Sequence, residues 1–195
     1  MSKIGKSART RAEILDAAWN LIAERGAGTS LTEIASAVGI TRQSIHVHFG
    51  SRGGLLLALV RRADERADIR RKVQNALSLP DPIERFRACL SVWFSFVPQI
   101  QPVAQDLIRL RATDEDAACA WDDRMNELRQ ALRQLVRGLD KAGMLADGWT
   151  VPRAADYLWV GCSLENWGLL TRDCGWPPGT AAKATIQTLE RALLK

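Results

Sequence analysis

Apolar residues recur at helical spacing from one end of the chain to the other, and no stretch shows the alternation of a half-buried strand. The reading is an all-α protein of about nine helices. The first opens at Thr10-Arg-Ala-Glu13, a capping box, carries Ile14, Ala18, Leu21 and Ile22 on one face, and closes at Gly26. A second capping box, Ser30-Leu-Thr-Glu33, starts a two-turn helix with Leu31, Ile34, Ala35 and Val38 inward and Gly39 as its stop. A third short helix is predicted from Thr41 to about Val47. Ser51 then caps a long fourth helix that reaches Leu79, where Pro80 ends it.

Asp81-Pro82-Ile-Glu84 is another start signal, and the fifth helix is predicted to run to about Val97. A sixth covers about Gln101 to Arg111 and a seventh about Asp114 to Ala142. The eighth extends from Pro152 to Asp173, and after Gly175-Trp-Pro-Pro-Gly179 a ninth runs from Thr180 to Leu194. The longest uncharged run, Ala88 to Gln105, holds two prolines and three glutamines. Its apolar part is too short to span a bilayer, which needs about 20 residues, so it reads as a core helix.

Two short helices joined by a glycine-containing turn make a helix-turn-helix, here at about residues 31–50, whose second helix enters the DNA major groove. Three residues test that assignment. Ala35 is small where the helices cross, Gly39 permits the positive φ of the turn, and Ile45 supplies the shared core. Thr41 caps the recognition helix, and Arg42, Gln43 and Ser44 form its exposed first turn. Arg42 can pair bidentately with guanine and Gln43 with adenine, while Val47 can touch a thymine methyl. Thr32, His46, His48 and Arg52, with the arm residues Lys3, Lys6 and Arg9, suit phosphate contacts, which set register.

Charge supports this placement. The chain of 195 residues carries a net +5, but residues 1–75 hold 13 Lys+Arg against 7 Asp+Glu, whereas residues 76–195 hold 14 against 15. The positive end is the end with the helix-turn-helix, as expected where a polyanion is met. At 47% hydrophobic and 25% charged, the composition is that of a folded globular chain. Four cysteines form neither a disulfide framework nor a paired metal knuckle, and Met1 to Arg11 lacks the apolar stretch of a secretory leader. The expectation is a cytoplasmic protein without metal or cofactor. Both histidines lie in the recognition segment, so no Ser/His or Cys/His pair remains for catalysis, and an enzyme is not expected.

Between Thr10 and Leu56 the chain resembles the tetracycline-repressor (TetR) family of bacterial regulators. The resemblance rests on Arg11-Ala-Glu-Ile-Leu-Asp-Ala-Ala18, Glu24-Arg-Gly26, Ser30 to Ile40, His48-Phe-Gly-Ser-Arg52 and Leu55-Leu56. It implies a DNA-binding domain at residues 8–68, a ligand-binding and dimerisation domain at 69–195, a homodimer and a palindromic operator on double-stranded DNA. Two departures stand out. His46 occupies a position where the family usually has tyrosine, and Arg52-Gly53-Gly54 replaces a lysine followed by acids. Two glycines weaken a first helical turn by about 1 kcal/mol each relative to alanine, so extra mobility is expected there.

Six of the seven tryptophans lie beyond residue 90. Phe86, Cys89, Trp93 and Phe96 share one helix face, and Trp121 and Met125 share another. The resemblance implies a small-molecule site in this region, and these residues would suit a flat apolar ligand; an ordinary packed core is the alternative. Gly161 and Gly168, with Ile186, Leu189 and Leu193, are the candidate dimer interface. The expectation is a repressor released from its operator by an apolar or aromatic effector. Its rival is a dimeric regulator without a small-molecule effector, governed by a protein partner or constitutive.

Overall fold

The computed structural model describes residues 3–25 and 28–195. Among these it contains α1 (Lys3–Arg25), α2 (Leu31–Val38), α3 (Arg42–Phe49), α4 (Arg52–Arg66), α5 (Ile69–Leu77), α6 (Pro82–Leu110), α7 (Glu115–Lys141), α8 (Val151–Gly161), α9 (Leu164–Gly168), a π-helical turn at Leu169–Asp173, and α10 (Pro178–Leu193). The one β feature among them is an isolated antiparallel bridge, Leu145 to Leu194. The all-α expectation holds, and no described helix is long and apolar enough to cross a membrane.

Local signals act as expected where a side chain closes a helix end. Ser30 and Glu33 make the full capping box: the Glu33 N–H donates to Ser30 Oγ at 3.2 Å and the Ser30 N–H donates to Glu33 Oε2 at 2.7 Å. Thr41 caps α3 by accepting from the Ser44 N–H at 3.2 Å. Gly39 takes φ +71°, the left-handed turn that only glycine adopts without strain. Asp81 and Asp114 cap α6 and α7, accepting from the N–H groups of Ile83 at 2.8 Å and Ala117 at 2.9 Å.

Four boundaries differ from the sequence expectation. Thr10–Glu13 lies inside α1 and does not start it; Glu13 accepts from Arg9 at 2.9 Å, one turn back. The predicted stop at Gly26 is outside the described residues. The long fourth helix is two, α4 and α5, separated where Asp68 takes φ +52°. Aspartate tolerates that region, so the break needs neither glycine nor proline. Conversely, the predicted break at Pro98 is absent and α6 runs through both Pro98 and Pro102. Each interior proline costs roughly 3 kcal/mol, but Phe94, Phe96, Val97, Ile100, Val103, Ala104 and Leu107 are all buried, and that packing holds the helix. The eighth helix also divides, because Ser163 caps a new helix by accepting from the Asn166 N–H at 3.2 Å.

The chain forms two compact units that do not follow a single cut. One comprises residues 1–64 with 100–123, the other 65–99 with 124–195. The core of the first is Ile14, Ala18, Ile22, Ile34, Ile45, Leu55, Leu56 and Leu59, joined by Val103 and Leu107 from α6. Phe86, Leu90, Phe96, Val136, Leu158, Trp167 and Leu193 form that of the second. A contiguous boundary near residue 68 therefore misses the last third of α6 and the start of α7, which pack with the helix-turn-helix.

Candidate nucleic-acid interface and apolar cavity

Packing presents α3 edge-on to solvent. Ile45 is fully buried and is its only buried residue, so α3 is held by one inward knob and its remaining side chains face outward or sideways. Thr32, Thr41, Arg42 and Gln43 are exposed, and Ser44, His46 and His48 are half-buried. Val47, one turn beyond Gln43 on the same face, is 77% exposed, the most exposed of the large hydrophobic residues described. A valine left in water at that level has not been placed for the core. Together Arg42, Gln43 and Val47 offer a guanidinium fork, an amide and a methyl pair, the chemistry that reads base edges.

His46 is only partly available. Its Nδ1 lies 2.9 Å from the Gly50 carbonyl, which can only accept, so Nδ1 carries the proton and Nε2 is the remaining ring nitrogen. Arg9, exposed, is paired with Glu13. The side chains of Lys3 and Lys6 lie outside the described residues.

Arg52 departs from expectation. Instead of projecting as a phosphate ligand, its guanidinium is folded inward, donating to the Thr29 carbonyl and to the Asp106 carboxylate, with the side chain 17% exposed. Burial of Asp106, at 0% exposure, demands that cation. The two glycines that follow are also not a loose turn. A Cβ on Gly53 would sit 2.8 Å from the Ala117 Cα and one on Gly54 would collide with the Phe49 carbonyl, so both glycines permit close packing.

Within the second unit, a cavity of about 100 Å3 lies among α5, α6 and α7. Cys89, Trp93 and Phe96 line it, as expected. Phe86 does not: it is fully buried in the packed core. Trp121 belongs to the first unit, where Arg111 stacks on its ring at 5.6 Å, and Met125 precedes the turns of α7 that reach the cavity. The lining that sequence reasoning missed is Ile69, Val73 and Leu77 on α5 and Leu128, Leu132 and Leu135 on α7. Their i, i+4, i+8 and i, i+4, i+7 spacings were the available signal. No charged side chain lines the cavity. Gln134 contributes an amide, and burial pushes the Cys89 thiol up to about 11, so it is neutral at pH 7. The Trp93 indole N–H is already spent on the Cys162 carbonyl at 2.9 Å, which fixes the ring.

The predicted dimer residues are mostly turned inward. A Cβ on Gly161 would meet Leu189 Cδ2 of the same chain at 2.7 Å, and Gly168, Leu189 and Leu193 are buried. Small size at Gly161 serves the α8–α10 contact within one chain. Gly161 and Ile186 stay half-exposed. Exposed apolar area collects beside them: Tyr157, Val160, Leu169 and Trp176, at 41%, 48%, 52% and 40%, edge a groove of about 390 Å3 beside α10 whose lining includes Gly161 and Leu189.

Residues 14–59 match the sequence model described as bacterial regulatory proteins, tetR family. The chain is 29% identical to the HTH-type transcriptional repressor BepR of Brucella suis biovar 1 over 83% of its own length and 82% of that protein's. With the HTH-type transcriptional repressor AcnR of Corynebacterium efficiens it shares 30% identity over 73% and 72%. Among solved structures, NalD, the secondary repressor of the MexAB-OprM multidrug efflux pump in Pseudomonas aeruginosa, aligns with a TM-score of 0.71 at 25% identity over 98% of both chains. A transcriptional regulator from Saccharomonospora viridis in complex with choline aligns with a TM-score of 0.78 at 22% identity, over 96% of this chain and 99% of that one.

Proposed function

The chain belongs to the TetR family, whose members are DNA-binding transcriptional regulators and not enzymes, and on that premise we propose that it is a repressor released from its operator by a neutral, apolar or aromatic small molecule. The observation that carries the ligand class is the cavity among α5, α6 and α7, which has aromatic and aliphatic walls and no charged side chain. A cation such as the choline bound by the Saccharomonospora viridis regulator would find no carboxylate there. At about 100 Å3 the cavity is smaller than the roughly 300–1,000 Å3 of typical ligand sites. An effector must therefore part these helices, and the parted state is the one that releases DNA. Release is linkage: the effector binds the DNA-incompetent state more tightly, with a coupling of about 1–3 kcal/mol.

DNA is read by Arg42, Gln43 and Val47, with Thr32, Thr41, Ser44, His46 and His48 holding register. Dimerisation uses the groove edged by Tyr157, Val160, Leu169 and Trp176, whose lining includes Gly161 and Leu189, whereas Gly168 and Leu193 are buried within the chain. Val160→Glu combined with Leu169→Arg is expected to yield monomers by light scattering; an unchanged dimer sinks that face.

Titration of intrinsic tryptophan fluorescence tests the effector, using a neutral naphthalene derivative and its quaternary ammonium counterpart, with operator affinity measured in parallel. Saturable quenching and DNA release by the neutral probe alone is expected, and Val73→Trp, which fills the cavity, should abolish both. The small volume also favours a second reading, a dimeric regulator without an effector; Val73→Trp would then leave every measured property intact.

A further inference from the structure

Among the described residues, the two buried polar side chains are Thr29 and Asp106, and both belong to the surroundings of one guanidinium. Arg52 donates from Nη1 to the Thr29 carbonyl and from Nη2 to Asp106 Oδ2. Asp106 Oδ1 accepts a second cation, Arg109, at 2.7 Å, and the Thr29 hydroxyl turns to the Leu21 carbonyl at 3.3 Å. Every partner named here thus lies inside the first unit.

We propose that Arg52 is a positioning residue that sets the recognition helix by an internal anchor to Asp106 and Thr29, and that it makes no contact with DNA. The proposal rests on reading α3 as the DNA-contacting helix. Three features of the chain carry it. Only Gly50 and Ser51 separate Arg52 from the end of α3, so fixing Arg52 leaves α3 the play of two residues. Thr29 directly precedes Ser30, the cap of α2, so the same guanidinium also ties the entry of the helix before the turn. Gly53 lets the first turn of α4 close on the backbone of Ala117, at a distance a Cβ would forbid.

Drawing Arg52 out to a phosphate would leave Asp106 buried with only the exposed Arg109 as partner, an arrangement that costs far more than a surface contact returns. A buried pair adds little stability over an apolar substitute but defines one geometry.

The test uses the full chain and a duplex selected by the wild-type protein from a randomised pool, with affinity measured across a salt series. A phosphate contact at Arg52 contributes about one unit to the slope of log affinity against log salt. The anchor contributes none. Arg52→Lys keeps a charge that a phosphate would accept but cannot span both internal partners, and Asp106→Asn alters a residue with no exposure to DNA. Both are expected to lose on the order of tenfold in affinity, a 1.4 kcal/mol effect, with unchanged slope and unchanged base preference. Circular dichroism establishes that each variant is folded, and if Asp106→Asn is not, Arg52→Lys decides alone. Wild-type affinity in a folded Arg52→Lys, or a slope reduced by one unit in Arg52→Gln, overturns the anchor. Failure of the wild-type protein to select any duplex instead overturns the DNA reading itself, and the anchor's role with it.

Discussion

Truncating Ile45 to alanine removes the one buried side chain of α3. The substitution deletes three carbons from a fully buried position, a transfer loss of about 2.4 kcal/mol at ~0.8 kcal/mol per carbon. An unrelaxed cavity adds to this, and measured losses of the kind run about 2–5 kcal/mol; we take about 3. An eight-residue helix has no independent stability in water, so the loss falls directly on docking of α3. About 3 kcal/mol is a factor of roughly 150 in that equilibrium. If the unit unfolds as one, the melting temperature falls by about 6–12 °C, taking ~2–4 °C per kcal/mol for a chain of this size. If α3 detaches alone, amides of residues 42–49 lose protection first, and operator affinity falls by the fraction of molecules with α3 docked. Calorimetry, hydrogen exchange and a binding isotherm separate the two routes. A melting temperature within about 2 °C of wild type, with amides of 42–49 still protected, would refute the claim that Ile45 holds the recognition helix.

Val47→Ala, at the most exposed large apolar position, should leave the melting temperature unchanged while reducing discrimination at one A·T position of the selected duplex; equal losses on cognate and scrambled DNA argue against base contact. Gly53→Ala drives a methyl into the Ala117 backbone and should cost about 1–3 kcal/mol. Gly138→Ala in α7 meets only the tip of Arg85 at 3.6 Å and should stabilise by about 0.4–1 kcal/mol, so like signs for the two would contradict the packing described. The Ser30 backbone N–H and hydroxyl, helped by Arg25, hold the Glu33 carboxyl below the usual carboxylate range. Its folded pKa is thus under its unfolded one, so the stabilisation is complete above the ordinary glutamate value of about 4.3 and fades as pH falls through the lower folded value. The melting-temperature gap between wild type and Glu33→Gln should accordingly close on acidification. Burial pushes the Cys162 thiol up to about 12, so iodoacetamide at pH 7 should label exposed Cys119 and Cys174 and spare Cys162 until the chain unfolds.

Much of this protein could be read directly from its residues, because the interactions concerned are local. Helical periodicity requires nothing beyond one turn, and a cap requires three residues, so the all-α class, the Ser30–Glu33 box, the Thr41 cap and the left-handed Gly39 all follow from short spacings. The inward placement of Ile45 and the outward placement of Arg42 and Gln43 follow equally, since one helix of known phase decides both. The same holds for Cys89, Trp93 and Phe96, which share a face whatever they face.

What lay across the chain could not be read this way. Pro98 and Pro102 oppose a helix locally, and only burial of the surrounding α6 side chains overrides them. Arg52 reads as an exposed cation until Asp106, 54 residues away, is folded against it. Gly53 and Gly54 read as weak helix until the Ala117 backbone and the Phe49 carbonyl occupy the space a Cβ would need. That Gly161 and Leu189 meet within one chain is likewise invisible until both helices are in place. In each case the local preference is worth a few kcal/mol at most, and a long-range contact of equal or greater size decides which way it resolves. Spacing along the chain therefore determines which helices form and which way their faces point, whereas the tertiary contacts determine what each face, charge and glycine is for.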